Sequence, residues 1–467
     1  MGDNMSVKKG IWYILVANLI NLIISLFSGF VLPKFLSIET YSDIKLFQLY
    51  ITYIGILHLG FSDGMYLQHG GKSVENIDKK EVLEEFKTFK LFQLFITIMA
   101  IIISLIIKNQ ILFLCSLVIL PINIGNYLRN LYSSIGEFKK YSRFTNINTL
   151  LIFFINIVLL LIIKTDNAYF YIICYVIGYF LYWFVLELEN RKIFIKCKIR
   201  ANKKYFKRDV RSGFFLMIGN FCNVIFTSID RLFVKNLLGT IKFAYYSFAV
   251  SIQNLVEIFI MPISTVMYNC LCKEKNIEKI VNYKYYIIIF SALLLSLFFP
   301  AKFVIEIWLP KYQDSIIILL ILFLVQYVTV IIKCIQLNLY KADKKQKKYF
   351  IIMLVIVILS IILNIVSYYI NSSMLSIVLA TLVTNIVWFI FGELDLKKYK
   401  MTLNGYIFFV IIFISFVLCA IVKNTILGCV IYIVMTIILS FILLRRQVIY
   451  IYKEGIKIIK KILKVKK

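Results

Sequence analysis

The chain is a succession of apolar stretches of 20 or more residues, separated by short lysine-rich breaks. No other feature constrains the fold as much. A stretch of that length and polarity crosses the hydrocarbon core of a bilayer as an α-helix, because only there can every backbone N–H and C=O pair within its own segment. Fourteen such spans can be placed, the first at Ile11–Leu36 and the last at Thr425–Leu444. At about 20 residues each they take up roughly 280 residues. That leaves no room in a chain of 467 residues for a sizeable water-exposed catalytic domain. Composition agrees: 61% of residues are apolar and 16% charged, where soluble domains are about half apolar and a quarter charged. The expected fold is an all-α integral membrane protein.

The net charge is +29. In a soluble protein that balance suggests nucleic acid, but here the cations lie beside apolar spans, so they read as topology signals and contacts for anionic lipid headgroups, not as a nucleic-acid surface. With the N-terminus cytoplasmic, the inside segments carry 42 Lys and Arg and the outside loops 8, with Lys45, Arg231 and Lys333 inside spans. A missed or extra helix would scramble this alternation from that point on, so the pattern predicts an even number of spans with both termini inside. Lys8 and Lys9 precede a long apolar run with no small-x-small cleavage site after it, which reads as an uncleaved first helix. The nine cysteines include no Cys-x-x-Cys and read as small apolar residues, most within spans. There is no Walker loop, zinc spacing or nucleophile elbow, so no metal and no cofactor is expected, and no enzyme.

The chain repeats itself. Asn130-Leu131-Tyr132 is followed by Lys139-Lys140-Tyr141, and Asn338-Leu339-Tyr340 at the same spacing by Lys347-Lys348-Tyr349, an offset of 208. A second match, at an offset of 202, sets Asn18, Asn21, Ser25 and Ser28 of the first span against Asn220, Asn223, Thr227 and Asp230 of the seventh. Repeats of the same topology predict two six-helix lobes related by a pseudo-two-fold axis along the membrane normal, with a polar path between them. The expected division is residues 1–190 for an N-lobe of six spans, 191–211 for a basic cytoplasmic linker, 212–396 for a C-lobe of six spans, 397–446 for two further lipid-facing spans, and 447–467 for a basic amphipathic tail. Linker and tail mix Ile and Phe with Lys and Arg, the pattern of helices that lie on an anionic leaflet, or of ordinary solvated segments.

Polar groups in hydrocarbon are costly, so those in spans should face the bundle interior. Here they line up. The first span carries Asn18, Asn21, Ser25 and Ser28 in 3-4-3 spacing, one stripe about 80° wide at 100° per residue. The second carries Gln48, Thr52, Gly55, His58 and Ser62 with Asp63 at the edge, and the fourth Asn123, Asn126, Asn130 and Ser133. The seventh carries Asn220, Asn223, Thr227, Asp230 and Arg231, the eighth Ser247, Ser251, Asn254 and Glu257, and the tenth Gln326, Thr329, Lys333, Gln336 and Tyr340. Stripes at equivalent helices of both halves point to a central water-filled cavity, whereas one stripe alone would read as interhelical hydrogen bonding. Within it, Lys333, Arg231 and Arg129 are candidate cations for an anionic substrate. Lys333 costs about 2.5–3.5 kcal/mol in a span, and its alternative role is an ion pair with Glu257 or Asp230. Asp63, Asp230 and Glu257 are candidate ion carriers, with His58 as a further proton group or a structural hydrogen-bonding one. Pro121 and Pro262 should kink their spans.

Two segments carry a family resemblance. In 29–71, Leu36-Ser37-Ile38-Glu39-Thr40-Tyr41 precedes Leu59-Gly60-Phe61-Ser62-Asp63-Gly64; in 219–267, Ile229-Asp230-Arg231 precedes Leu238-Gly239 and Tyr245-Tyr246-Ser247. With the plan of fourteen spans and two lobes, this resembles the polysaccharide flippases of the multidrug/oligosaccharidyl-lipid/polysaccharide exporter superfamily, over essentially the full chain. The resemblance implies translocation of an undecaprenyl-pyrophosphate-linked oligosaccharide across the bacterial cytoplasmic membrane for O-antigen, capsule or another surface polymer. It implies membrane lipids and polysaccharide polymerase or assembly proteins as partners, and an ion gradient as energy source. The alternatives are a multidrug/cation antiporter of the same superfamily, usually twelve spans with an acidic pocket, and a membrane polymerase or glycosyltransferase, which would need a large outer loop that the sequence lacks.

Overall fold

The computed structural model describes residues 20–70, 72, 77–194, 200–343 and 345–450. Among them ten helices are long and apolar enough to cross a membrane, and thirteen spans result if each of three bent helix pairs is counted as one. One shorter apolar helix, Ile20–Phe35 (α1), precedes them. The chain is a multi-pass α-helical membrane protein. Its contacts divide it into two units, 1–228 and 229–467, so the division falls within the seventh span.

The first unit holds α1, α2 (Ile38–Tyr53), α3 (Phe61–His69), α4 (Lys79–Ile107), α5 (Gln110–Leu117), α6 (Ile119–Ser134), α7 (Phe138–Ile157), α8 (Ala168–Phe194) and α9 (Lys203–Phe226). Helix starts follow from local chemistry. Ser37, Asp78, Asn109 and Asn202 each accept a backbone N–H of the first turn that has no partner within the helix.

The second span is broken. After α2 the backbone tightens into a 3-10 turn at Ile54–His58, and Leu59 and Gly60 take left-handed angles, φ 47° and 83°, before α3 leaves at 62° to α2. Gly60 adopts that angle at little steric cost. It also lets α9 approach: a Cβ added to Gly60 or Gly64 would lie 2.9 Å from the Gly213 carbonyl carbon or 1.9 Å from the Asp209 carbonyl oxygen. Gly60, Gly64 and Gly213 thus form a small-residue crossing in which two backbones touch. The fourth span breaks by 41° between α5 and α6, beside Pro121. Proline offers no N–H to Leu117 and cannot continue the ladder. Around these breaks Phe61, Phe89 and Tyr127 pack at 4.7–6.3 Å between ring centroids, the centre of the unit's apolar core.

The second unit holds α10 (Ile229–Phe233), α11 (Thr240–Lys273), α12 (Ile277–Leu295), α13 (Phe298–Trp308), α14 (Ser315–Ile331), α15 (Leu337–Ala342), α16 (Gln346–Ile370), α17 (Met374–Asp395), α18 (Leu403–Ile421) and α19 (Thr425–Leu443). Here α11 runs as one helix through Pro262. The tenth span, Ser315–Ala342, is the most buried and contains a π-turn at Ile332–Gln336 between α14 and α15. The last two spans do not stand apart from the unit. Tyr432 donates to the Ala292 carbonyl at 2.8 Å, its ring packs tilted against Phe299 and edge-on to Phe416, and Lys302 donates to the Ala420 carbonyl at the end of α18. Their other faces are exposed, as lipid contact requires.

The sequence repeat is also a repeat of local geometry. In the first unit Asn130 Nδ2 donates to Ser62 Oγ at 3.1 Å. In the second Asn338 Nδ2 donates to Ser264 Oγ at 3.2 Å and to the Ser264 carbonyl at 2.8 Å. The carbonyls of Tyr132 and Tyr340 accept from Glu137 and Lys345, five residues on, at 2.8 and 2.9 Å. Each partner is displaced by one of the two sequence offsets.

Candidate functional site

The first unit carries a polar face on α9. Asn220, Asn223 and Thr227 follow at three and four residues, so they share a side, and all three are exposed. Thr52 is exposed too, and Gln48 partly so. Amides and a hydroxyl arrayed on a spanning helix cannot sit against hydrocarbon without cost, so this face calls for water or a polar solute. At its edge Asn220 Nδ2 donates to Asp63 Oδ1 at 3.3 Å. The other Asp63 oxygen is buried with no hydrogen-bond partner, and His58 Nε2 lies 3.7 Å from it. The Gly60 N–H donates to His58 Nδ1 at 3.0 Å. In that arrangement Nδ1 is the acceptor, and the proton of a neutral ring sits on Nε2, facing Asp63.

The other predicted residues of this unit divide. Asn123 is fully buried and bonds Gln93 Oε1 at 2.7 Å and the Ile54 carbonyl, so it ties the two breaks together. Asn130 holds α6 to Ser62. Arg129 is partly buried and bonds Asn126. Asn21 is partly buried, with its Oδ1 unpaired. Asn18 lies outside the described residues, as do most of the basic tail and part of the linker.

In the second unit Lys333 leaves the π-turn toward α11 and pairs with Glu257 at 2.7 Å. Gln326 Nε2 donates to the same Glu257 oxygen at 2.8 Å, and Gln253 donates to Gln326 Oε1 at 3.1 Å. Both ends of the pair remain reachable, at 28% and 25% exposure, and Asn254 beside them on α11 is exposed. Asp230 is buried and accepts from the Tyr246 hydroxyl at 2.6 Å and the Arg231 N–H at 2.7 Å. Arg231 is partly buried with Nε unpaired.

The tenth-span stripe splits between two neighbours. Gln326 and Lys333 turn to α11, whereas Thr329, Gln336 and Tyr340 turn to α17. There they meet Asn385 at 3.0 Å, Glu393 at 2.9 Å and Asp395 at 2.8 Å. Gln326 and Thr329 diverge already within α14, and the π-turn that follows widens the angle between Lys333 and Gln336.

Two charged networks escape sequence reasoning. In the first unit Arg208 binds Glu81, Glu85 and Asp209, and His69 Nε2 is 2.7 Å from Glu85. Glu85 and Asp209 are fully buried. In the second, Lys284 meets Glu393 at 2.5 Å, and Glu393 also accepts from Tyr406 and Gln336. Arg208 lies 127 and 123 residues from Glu81 and Glu85, and Lys284 lies 109 from Glu393, so no spacing along the chain links them. The Gly60-x-x-x-Gly64 spacing is the kind of signal that marks such a close crossing. Among the described residues no three His, Cys, Asp or Glu side chains converge as ligands for a metal ion.

No family model matches the sequence, and no curated protein does. Solved structures do match. The lipid II flippase MurJ, in an inward closed conformation, aligns with a TM-score of 0.71 at 18% identity, covering 94% of this chain and 100% of that one. An inward-facing multidrug resistance MATE family transporter of the MOP superfamily aligns at 0.52 and 12% identity, over 82% of this chain and 95% of that one. The MATE multidrug transporter DinF-BH, in a ligand complex, aligns at 0.51 and 14%, over 84% and 94%. The chain therefore has the fold of these proteins, a flippase and two transporters with no enzyme among them.

Proposed function

We propose that the protein is a flippase, not an enzyme, and that it carries polyprenyl-pyrophosphate-linked oligosaccharide repeat units across the cytoplasmic membrane for a surface polysaccharide such as O-antigen or capsule. The observation that carries this reading is the fold. It follows the lipid II flippase over 94% of this chain and 100% of that one, and the multidrug transporters less fully. The sugar is polar and needs an aqueous route; the exposed row Asn220, Asn223 and Thr227 and the exposed Thr52 and Asn254 suit its lining. Pyrophosphate is a concentrated anion. Lys333, Arg231 and Arg129 would neutralise it, with Lys333 released from Glu257 as the phosphate arrives. The hydrocarbon tail stays in lipid. Transport would proceed by alternating access, and Asp63 with His58, Asp230 or Glu257 would take up the coupling ion. Lipids, and the polymerase that receives the product, are the partners.

The test is deletion in the native host. Lipid-linked repeat units should accumulate on the cytoplasmic side while drug susceptibility stays unchanged. A rise in sensitivity to cationic drugs without accumulation favours the multidrug antiporter. Orientation is checked separately: a reporter fused at Ala342 should read inside and one at Asn371 outside, with both termini inside.

A further inference from the structure

The first unit forms an open-sided groove of about 340 Å³ between α2, the 3-10 turn, α4, α5 and α6. The space exists because two spans break around it. Ile54, Ile56 and Leu57 of the 3-10 turn form one wall, and Cys115, Ser116 and Ile119, on either side of the α5–α6 break, form another. Four of the five polar side chains on its wall are already bonded within the protein. Ser104 Oγ donates to the Ile101 carbonyl at 2.7 Å, Ser116 Oγ to that of Phe113 at 2.6 Å, Cys115 Sγ to that of Phe47 at 3.8 Å, and the Tyr53 hydroxyl pairs with Ser228 Oγ at 2.5 Å. Water entering the space would find few of the two to four polar partners that it needs, so the cavity is dry and suited to an apolar occupant. Ile103 and Ile107 on its α4 side are 50% and 56% exposed, so the space borders the lipid-facing surface. Directly after Ile107 comes Lys108, exposed at the end of α4.

We infer that this cavity is a binding site for one acyl chain of an anionic phospholipid, whose headgroup rests at Lys108. Size and charge both select that occupant. At about 30 Å³ per methylene-sized unit, close to the share of one water molecule, the space takes roughly eleven chain carbons. That is most of one acyl chain and a small part of a long polyprenyl tail. A cation beside the apolar opening adds the attraction of an ammonium for a phosphodiester. The site has a mechanical consequence. Tyr53 is both wall and strut: its hydroxyl holds Ser228 in the turn that ends α9, and its ring meets Phe221 at 6.4 Å. An acyl chain in the cavity backs Tyr53 against the helix that presents Asn220, Asn223 and Thr227. The inference stands without the flippase reading, since it rests on the cavity alone.

The full-length protein, reconstituted in vesicles of phosphatidylethanolamine and phosphatidylglycerol, can be irradiated with a phosphatidylglycerol carrying a diazirine on its acyl chain. Labelled peptides are then mapped by mass spectrometry. Label should concentrate at least fivefold on 100–107 and 112–119 relative to the exposed face of α19. Ala100→Phe fills the space and should lower that labelling about tenfold in monodisperse protein, whereas Ile106→Phe on the outer face should not. If Ala100→Phe does not fold, Ser104→Leu is the second filling variant, with the same expectation. Lys108→Gln should lower labelling severalfold with the phosphatidylglycerol probe and leave a phosphatidylcholine probe unaffected. Labelling equal across all lipid-facing helices, or unchanged by the filling variants, overturns the site. Displacement of the probe by an equimolar long-chain polyprenyl diphosphate overturns the phospholipid assignment and gives the cavity to a polyprenyl tail.

Discussion

The two copies of the repeated helix pair share a framework and differ in charge. In both, an asparagine amide on the later helix bonds a serine on the earlier one, and the chain leaves the helix by the same tyrosine-carbonyl turn. At the same offsets from Glu257 and Lys333, the first copy has Gly55 and Gly125. A Cβ added to Gly125 would lie 2.6 Å from the Tyr182 ring on α8 and one added to Gly55 would meet nothing within 4 Å, so the first copy has no counterpart of the ion pair. The Asn–Ser bond belongs to the architecture, which both halves need. The accessible pair is an addition to one half, and an addition that costs insertion energy asks for a functional reason.

A second contrast lies within the second unit. Lys284–Glu393 and Lys333–Glu257 have almost the same separation, 2.5 and 2.7 Å, but the first pair is 2% and 7% exposed and the second 28% and 25%. Glu393 has two further donors in Gln336 and Tyr406. The same residue types thus serve as interior glue in one place and as a reachable charge in the other.

The largest effect should come from the reachable pair. Lys333→Ala is expected to abolish surface polysaccharide at unchanged protein abundance, since a partly exposed pair contributes at most about 1 kcal/mol to stability. Lys333→Arg should keep part of the activity, because guanidinium binds phosphate with a different reach. If Lys333→Ala/Glu257→Ala restores polysaccharide, the lysine only balances Glu257, and the distinction between the two pairs collapses.

Lys284→Ala should do the reverse. Removing one partner of a buried pair leaves an uncompensated carboxylate, at about 3–5 kcal/mol. Thermal stability in detergent and membrane abundance should both fall, and any residual protein should transport at a normal rate per molecule. A stable but inactive Lys284→Ala protein would move this pair into the functional class.

The smallest effect tests the shared framework. Asn130→Ala and Asn338→Ala each remove one interhelical amide, worth about 0.5–1.5 kcal/mol. Paired thermal melts of the two variants should agree within the lower half of that range. A loss confined to one copy would show that the repeat is kept in sequence without equal structural weight.

Asn220, Asn223 and Thr227 were placed on one helix face by their spacing, and they share that face in the fold. Asn130 and Asn338 were marked by the repeat, but their serine partners were not, because a hydrogen bond between helices leaves no trace in the spacing of either one. Along the tenth span the stripe divides between neighbours, with Thr329, Gln336 and Tyr340 meeting Asn385, Glu393 and Asp395 of α17, which spacing on one helix does not reveal. Pro121 sits at a break, whereas Pro262 lies within an unbroken helix; the local cost is similar, and tertiary packing sets the outcome.

Sequence alone determined that this chain lives in a membrane as a series of helices. Apolar length and the bilayer's demand for internally paired backbone act on each segment by itself, and a stripe of amides is a property of one helix. Only the tertiary structure decided which charges neutralise which. Arg208 could find Glu81 and Glu85, and Lys284 could find Glu393, only once helices distant in sequence had been packed together. Coulomb attraction and desolvation depend on distance and burial in space, and neither quantity exists along a linear chain.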